Sequence, residues 1–386
     1  MEFKRGIWYK KYINCYEDKR DYDFLRRGYL KAREELAKDY CIKNKVMDLS
    51  DIEKHEVDEF WAQYGIKIYD YSWHKMYKHV SGTFDVKYIP DLIMGTIVYP
   101  YYNDSVYENT WRDKNMFSRL LPNVPFPTTF LKCIRNRIYF EGKYYVRSIE
   151  NNQEFLEQLL YKIGKNNFVI VKDTRATGFG QGVKKYQINT TSDILKIFKD
   201  WIKSQNFIIQ QCLKQHKELE KFNKSSVNMM RVFSYRHEDK VDIIYACVRA
   251  GIEGQISDIS FIDGVEMVKL VGIKDGCFDN KMIDQDGKVI KKLEDGVKVP
   301  SWDKIERIVK ENHLLIDNFD MIGWDFTIDE NGTPYCFEWN IQWPGTVFYQ
   351  YANGPLLGNK TEKILEFLKD ENNQYNYIPN YFKLKK

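Results

Sequence analysis

Two patterns of hydrophobic residues alternate along the chain after residue 127. Short apolar runs predict strands at residues 128–132, 168–172, 184–188, 207–211, 230–235 and 241–249. Apolar residues at helical spacing predict helices at residues 152–162, 191–203, 302–316 and 360–369. Strands and helices mixed in this way indicate a fold of the α+β class.

The chain before its first proline, Pro90, has a different pattern. Residues 1–85 are charged, rich in tyrosine and compatible with helix, and the clearest apolar stripe predicts a helix at residues 21–40. An apolar stretch then predicts a strand at 92–99, and a further helix is expected at 114–121. We therefore expect a mostly helical N-terminal extension ahead of the α+β part.

The most informative segment is a hairpin signal between residues 323 and 340. Asn331-Gly332 separates two runs of alternating residues, which is typical of a two-residue β-turn. With that turn, three pairs of residues oppose one another: Asp325 with Glu338, Trp324 with Trp339, and Phe326 with Phe337. One face of the hairpin is then aromatic and the other is acidic. A three-residue turn would spoil this pairing.

The polar face of this hairpin carries Asp325, Glu338 and Asn340. Two directly opposed carboxylates repel one another unless a cation compensates them. Carboxylate and amide oxygens are the hard ligands that Mg²⁺ takes in proteins. The three residues therefore predict a magnesium site. The alternative is a solvent-facing hairpin whose acids repel only weakly in water.

A second signal is the glycine-rich loop that follows the predicted strand at 168–172. The strand ends in Lys172, and the loop contains Gly178, Phe179, Gly180 and Gly182. Alternating glycines let backbone N–H groups turn toward an anion, and the lysine supplies a countercharge for phosphate. The order of residues is not that of a Walker loop. A glycine-rich hairpin loop without a ligand is the alternative.

Two arginines, Arg231 and Arg249, lie at or within apolar strands. Arginine is rarely buried without a partner. Each could therefore hold a carboxylate or a transferring phosphoryl group, or form a structural ion pair. The sequence leaves open whether the two share a face, because a one-residue shift at the turn near His237 reverses the answer.

Charge and composition exclude several classes of function. The 59 Lys and Arg against 55 Asp and Glu leave a net charge of +4, too small to argue for a nucleic-acid groove. The seven cysteines form no CxxC unit, the six histidines do not cluster, and no apolar run is long enough for an integral membrane segment. No secretory signal is visible. We expect a cytoplasmic protein with reduced thiols.

Taken in order, these features resemble the ATP-grasp superfamily. The resemblance begins at Asp113-Lys114 and Pro125-Phe126-Pro127-Thr128, continues through Lys172 and residues 207–213, and ends in the hairpin at 323–340. It implies an ATP-grasp fold, in which two α/β subdomains clamp ATP. Residues 1–110 would form the N-terminal extension, 111–213 the small subdomain with its glycine-rich lid, and 214–386 the large subdomain with the metal-binding hairpin.

The resemblance also implies roles for individual residues. Arg231 and Arg249 would be catalytic, and Asp325, Glu338 and Asn340 would hold one or two Mg²⁺ ions, with Mn²⁺ as an alternative. The residues that would bind ATP are Lys114, Lys172, Gly178, Phe179, Gly180, Gly182, Gln210, Gln211, Cys212 and Leu213.

Three further segments resemble the sugar-transfer-associated ATP-grasp proteins, which are encoded with enzymes of bacterial surface polysaccharides. These segments are residues 215–219, 225–228 and 323–325. The sequence departs from the family pattern at Met229-Met230, at Trp339, which replaces a small residue, and at residues 255–260. These departures lie near the presumed acceptor site.

The chemistry implied is the ATP-dependent joining of a small-molecule or sugar-linked carboxylate to an amine or amino acid, through an acylphosphate, in polysaccharide or capsule biosynthesis. A kinase-like phosphotransferase and a non-catalytic nucleotide-binding component of a polysaccharide assembly complex are the alternatives. The oligomeric state is left open, with a homodimer as one option.

Overall fold

The computed structural model of this protein describes residues 31–104, 106–146, 152–174, 182–201, 203–262, 265–341 and 344–369. Contacts between Cα atoms divide the chain into two compact units. Unit 1 combines the residues before Val106 with those from Gly345 onward, and unit 2 comprises residues 106–344. Within the described residues, no helix is long and apolar enough to cross a membrane.

The elements of unit 1 are helices within its described residues, which confirms the expectation of a helical N-terminal region. The part of the predicted helix at 21–40 that precedes residue 31 lies outside the described residues. The helices of unit 1 are Lys31–Lys43, Asp51–Ala62, Ser72–Ser81, Asp91–Ile93, Tyr99–Tyr102, Val347–Asn353 and Thr361–Lys369, with a π-helix at Met94–Val98 and a 3₁₀ turn at Gly358–Lys360.

The strand predicted at residues 92–99 was wrong, because this stretch is helical from Asp91 to Tyr102. Ile93, Met94 and Ile97 are all fully buried, so no polar face gives the stretch a period that would separate a helix from a strand. Pro100 lies at the start of the helix Tyr99–Tyr102, directly after the π-helix Met94–Val98.

The two chain segments of unit 1 are joined by side chains that bond to backbone. Gln350 accepts from Ile89 N at 2.9 Å and donates to Ile89 O at 2.9 Å. Tyr102 donates its hydroxyl to Ile364 O at 3.0 Å. Buried polar groups need such partners, so unit 1 is complete only when both segments are present.

Unit 2 begins with a six-stranded antiparallel sheet in the order β3-β2-β1-β6-β4-β5. Its strands are β1 Thr129–Ile134, β2 Arg137–Phe140, β3 Lys143–Val146, β4 Asn167–Asp173, β5 Val183–Ile188 and β6 Asn206–Gln211. Helices Gln153–Ile163 and Thr191–Asp200 pack their apolar stripes in one core with Val171 and Ile209. Lys172 and Gln210 lie on the opposite face of the sheet, because the side chains of a strand alternate between its faces.

A larger antiparallel sheet follows, in the order β14-β13-β11-β8-β7-β15-β16, with β12 paired to β11. Helix Trp302–His313 buries Ile305 and Val309 in its core. The strands of this part are β7 Met229–His237, β8 Lys240–Ala250, β9 Ser260–Ile262, β10 Val265–Met267, β11 Lys269–Lys274, β12 Cys277–Phe278, β13 Lys281–Ile283, β14 Val289–Lys292, β15 Met321–Ile328 and β16 Pro334–Asn340. Strands β9 and β10 form a separate pair. The whole architecture confirms the α+β class.

All six strands predicted after residue 127 correspond to observed strands. The predicted helices at 191–203 and 302–316 end earlier, at Asp200 and His313. The helix expected at 114–121 is only Phe117–Leu120, because Lys114 N donates to Thr174 O at 3.2 Å instead of extending the helix. The sequence did not predict β2, β3 and β9–β14, which are mostly short strands.

The hairpin of β15 and β16 confirms part of the predicted register. Asp325 opposes Glu338, and Trp324 opposes Trp339. Both tryptophans are buried in the core of the larger sheet, at 0% and 2% exposure. The two acids lie on the other face, as expected from the alternation of side chains along a strand.

The turn of this hairpin has three residues, at positions 330–332, rather than two. The extra residue shifts the pairing, so Phe326 opposes Cys336 and the predicted pairing with Phe337 was wrong. A β-bulge at Phe337 then compensates the shift, which is why the two acids still meet.

Candidate active site

The larger sheet brings the two arginines and the acids to one face. Arg231 on β7 opposes Asp325 on β15, which in turn opposes Glu338 on β16. Arg231 also opposes Cys247 on β8, and Arg249 lies two residues beyond that cysteine. Opposed residues share a face, as do residues two apart along a strand. Arg231 and Arg249 therefore share one face of the sheet. The sequence had left this question open.

Asp325 is the centre of this face and is 1% exposed. Arg231 donates to both of its oxygens, from Nε at 2.5 Å and from Nη2 at 3.1 Å. Arg249 Nη2 and Asn340 Nδ2 each donate to Asp325 Oδ2 at 3.1 Å. Arg231 Nη1 also donates to Pro344 O. Both carboxylate oxygens of Asp325 are thus occupied by protein donors.

Arg249 also reaches a third acid, Asp258, which the sequence did not single out. Arg249 Nη2 lies 2.7 Å from Asp258 Oδ2. Burial raises the pKa of Asp258, while the charge of Arg249 opposes that rise. Asp258 belongs to the stretch at 255–260 that departs from the family pattern, and this departure was the only signal in the sequence that could have pointed to it.

The two lysines of the predicted nucleotide site lie beside Glu338. Lys114 Nζ is 2.8 Å from Glu338 Oε2. Burial acts to raise the pKa of Glu338, but the charge and hydrogen bond of Lys114, helped by Lys172, lower it to about 2. Burial and the charge of Lys114 lower the pKa of Lys172 to about 8. Glu338 is therefore an ionised acid between two cations.

Phe337 joins the site because of the bulge in β16. Phe337 and Glu338 are consecutive residues, yet both are partly exposed, whereas Cys336 and Trp339 on either side of them are buried. The Phe337 ring centroid is 5.3 Å from Lys172 Nζ, within the range of a cation–π contact. The register predicted from the sequence contained no bulge and placed Phe337 on the aromatic face, so it did not indicate that Phe337 lies beside Lys172.

Strand β6 places only part of the predicted ATP-binding segment on the Lys172 face. Gln210 is on that face and donates to Thr129 Oγ1 at 3.0 Å. Gln211 opposes Val169 and lies on the other face. Cys212 and Leu213 follow the strand, the first half-buried and the second buried.

The glycine-rich lid is only partly described. Gly182 has a φ of +70° and accepts from Asp173 N at 3.1 Å, which closes the base of the loop. Gly178, Phe179 and Gly180 lie outside the described residues. Their assignment to ATP binding stays a prediction.

A comparison with protein families decides the relationship of this chain. The sequence profile of the sugar-transfer associated ATP-grasp family matches residues 96–366, well over half of the chain. The chain belongs to this family. A comparison with curated proteins returns no match.

Solved structures similar to this ATP-grasp protein are related only distantly. The ATP-grasp ligase PsnB, complexed with a minimal precursor, is 13% identical with a TM-score of 0.39, over 69% of this chain and 63% of that one. D-alanyl-alanine synthetase A from Vibrio cholerae is 13% identical with a TM-score of 0.38, over 67% and 66%. N5-carboxyaminoimidazole synthase from Aspergillus clavatus is 11% identical with a TM-score of 0.35, over 60% and 44%. The chain therefore spans less than two thirds of each of these proteins.

Two residues from the segments that resemble the sugar-transfer-associated proteins form a buried network. Gln215 Nε2 donates to Asn223 O at 2.8 Å and to Ser226 O at 2.9 Å. Gln215 Oε1 accepts from Asn228 N at 2.9 Å and from Asn228 Nδ2 at 3.0 Å. His216 caps the short helix Lys217–Glu220, since its Nδ1 accepts from the backbone. These residues hold the segment after β6 in place.

The hairpin fits Mg²⁺ with two of the three predicted ligands. Glu338 is 32% exposed at its side chain, and its Oε1 has no hydrogen-bond partner among the described residues. Asn340 uses its amide nitrogen for Asp325, which leaves its amide oxygen as a donor to a metal. Asp325 could add an oxygen only after an arginine had left it. The described residues contain no group of three His, Cys, Asp or Glu that could hold a metal, so phosphate oxygens and water would complete the shell.

Proposed function

We propose that this protein is an ATP-dependent ligase that joins a carboxylate to an amine, with release of ADP and phosphate. The observation that carries the proposal is the convergence of Lys114, Lys172, Arg231 and Arg249 around Asp325 and Glu338 on one face of unit 2. Membership of the ATP-grasp family supports ATP as the nucleotide. The family description supports a substrate linked to sugar transfer. A role in surface polysaccharide or capsule biosynthesis is the further part of the proposal, and it rests on the resemblance of residues 215–219, 225–228 and 323–325.

The position of each residue in the candidate site determines the role that we propose for it. Lys114 and Lys172, beside Glu338, would neutralise the α- and β-phosphates, and the lid at 178–182 would close over them. Arg231 and Arg249 would then stabilise charge on the transferring phosphoryl group and orient the acceptor carboxylate. The metal ion held at Glu338 and Asn340 would supply charge neutralisation for the phosphate oxygens when it is bound.

No protein nucleophile is required in this scheme. A substrate carboxylate oxygen attacks the γ-phosphorus of ATP, the bond to ADP breaks, and an acylphosphate forms. An amine then attacks the acyl carbon, phosphate leaves, and the amine loses a proton as the amide forms. Positioning and charge neutralisation supply the rate enhancement, which agrees with a face built from cations and acids.

The decisive experiment is a screen of carboxylates and amines for ADP release, with mass detection of the product. A ligase forms an amide and releases ADP and phosphate only when both substrates are present. A phosphotransferase would form ADP and a stable phosphorylated acceptor without any amine, and that product would refute the proposal. Failure to bind ATP would refute it as well, and ATP binding without turnover of any substrate pair would favour the non-catalytic nucleotide-binding role.

Glu338→Gln tests the site within this reaction. The variant removes the charge that faces Lys114, and we expect turnover to fall below detection while the fold is kept. Glu330→Gln is the matched control, because Glu330 lies in the turn of the same hairpin and is exposed, with Lys214 as its only close cation at 3.9 Å among the described residues. Full activity of Glu338→Gln would refute the assignment of this residue.

A further inference from the structure

Trp339 lies between two residues of the candidate active site but on the opposite side of the sheet. Glu338 and Asn340 face the lysines and Asp325, whereas Trp339 is 2% exposed and belongs to the buried core. The sequence analysis placed this departure from the family pattern near the presumed acceptor site. Its position behind the sheet separates it from any acceptor on the front.

The Trp339 side chain contacts both ends of the segment 111–117. Its Nε1 donates to Trp111 O at 2.7 Å, at the beginning of the segment. Its ring lies against Phe117, at the end of the segment, with centroids 4.1 Å apart and an interplanar angle of 32°. One indole therefore fixes the segment at two points.

Lys114 lies in the middle of this segment and reaches the front of the sheet. A lysine side chain has several rotatable bonds, so the direction of its ammonium group depends on a fixed backbone. The segment is also held at a third point, where Lys114 N donates to Thr174 O at 3.2 Å and Asn115 Nδ2 donates to Thr174 Oγ1 at 2.9 Å. Thr174 directly follows the strand that carries Lys172.

We infer that Trp339 is a positioning residue for Lys114: it fixes the segment 111–117 from behind the sheet, so that Lys114 stays beside Glu338 and ready for a nucleotide phosphate. Trp339 directly follows Glu338 in β16, and Glu338 is the acid that pairs with Lys114. Any movement of the segment relative to β16 therefore changes the distance between Lys114 and Glu338. This inference rests on the proposed function, because ATP is the ligand that Lys114 would bind.

The test compares two tryptophans that make the same kind of hydrogen bond. Trp339→Phe keeps an aromatic ring against Phe117 but loses the bond to Trp111 O. Trp61→Phe is the control, because Trp61 in unit 1 is 0% exposed and donates its Nε1 to Val86 O at 3.0 Å. Both variants should lose a similar amount of thermal stability. Only Trp339→Phe should weaken ATP binding measured by calorimetry with Mg²⁺, by roughly fivefold for the loss of one hydrogen bond.

A double-mutant cycle shows whether the effect passes through Lys114. In a Lys114→Ala background, Trp339→Phe should leave the Kd for ATP unchanged. Additive effects of the two substitutions would overturn the inference. Trp339→Leu, which also removes the ring contact with Phe117, should weaken binding more than Trp339→Phe does.

Amide hydrogen exchange provides a readout without nucleotide. The amides of residues 111–117 should exchange faster in Trp339→Phe than in the unaltered protein, and at an unchanged rate in Trp61→Phe. Unchanged exchange in Trp339→Phe would overturn the inference whether or not ATP binds. Absence of ATP binding by the unaltered protein would instead overturn the proposed function, so the two failures are distinguishable.

Discussion

Replacing Asp325 with asparagine removes the charge that holds two buried arginines. Arg231 is 5% exposed and Arg249 is 7% exposed, and both donate to the carboxylate of Asp325. Removal of one partner from a buried ion pair typically destabilises a protein by about 3–5 kcal/mol, because the remaining charge is left uncompensated. Asp258 still faces Arg249 after the change. We expect Asp325→Asn to lie within that range.

Glu338→Gln is the matched comparison, because sequence alone treats both acids as equal metal ligands. Glu338 keeps about a third of its side chain exposed and pairs with Lys114, and the charge of Lys172 also acts on it. Water screens a partly exposed acid, so this variant should lose less stability than a variant that removes the buried Asp325 charge. The structure therefore predicts that two acids of one candidate site differ widely in their effect on stability.

Urea denaturation without nucleotide or metal measures this difference directly. Far-ultraviolet circular dichroism reports on unfolding, and the free energy of unfolding should fall more for Asp325→Asn than for Glu338→Gln. Equal stability of the two variants would refute the reasoning, because it would mean that Asp325 does not balance the arginine charges in solution. Far-ultraviolet spectra at low urea should show that both variants are folded.

Three other changes test neighbouring parts of the structure. Raising the pH from about 7 to about 9 should weaken ATP binding about tenfold in calorimetry. The reason is that Lys172, with its pKa of about 8, loses its positive charge as the pH rises through that value. Lys172→Arg should remove this pH dependence, because arginine keeps its charge. Gly323→Ala should destabilise the protein by about 1–3 kcal/mol in urea, because the new Cβ would lie 2.8 Å from Pro344 Cβ and 3.0 Å from Arg231 Cδ. Gln215→Leu should lower the free energy of unfolding by at least about 2 kcal/mol, because it leaves the buried Asn228 backbone N–H and the Ser226 carbonyl without the Gln215 side chain to which they bond. An unchanged free energy of unfolding would refute either stability prediction.

The sequence was most informative where local rules determine the structure. The alternation around Asn331-Gly332 identified the hairpin, and the pairing of Asp325 with Glu338 was confirmed. The turn itself was wrong by one residue, and the pairing survived because of the bulge at Phe337. A bulge depends on packing on both sides of a sheet, which a single strand does not reveal.

Other features depend on contacts between distant parts of the chain. Neither Asp258 nor Thr174 belongs to a recognisable sequence motif. Asp258 nevertheless contacts Arg249, and the Thr174 carbonyl accepts a hydrogen bond from the backbone of Lys114. The helical stretch at 91–102 was misassigned because residues 93–99 are all buried, and an unbroken buried run removes the period on which the assignment depends.

The division of unit 1 between two chain segments has a consequence for synthesis. A ribosome completes all of unit 2 before it translates Gln350, whose side chain bonds to both backbone groups of Ile89. The strands of the active-site sheets can therefore pair while unit 1 still lacks part of its own interior. A chain truncated before residue 345 would carry every proposed active-site residue and would leave the first helices without the partners that complete their unit.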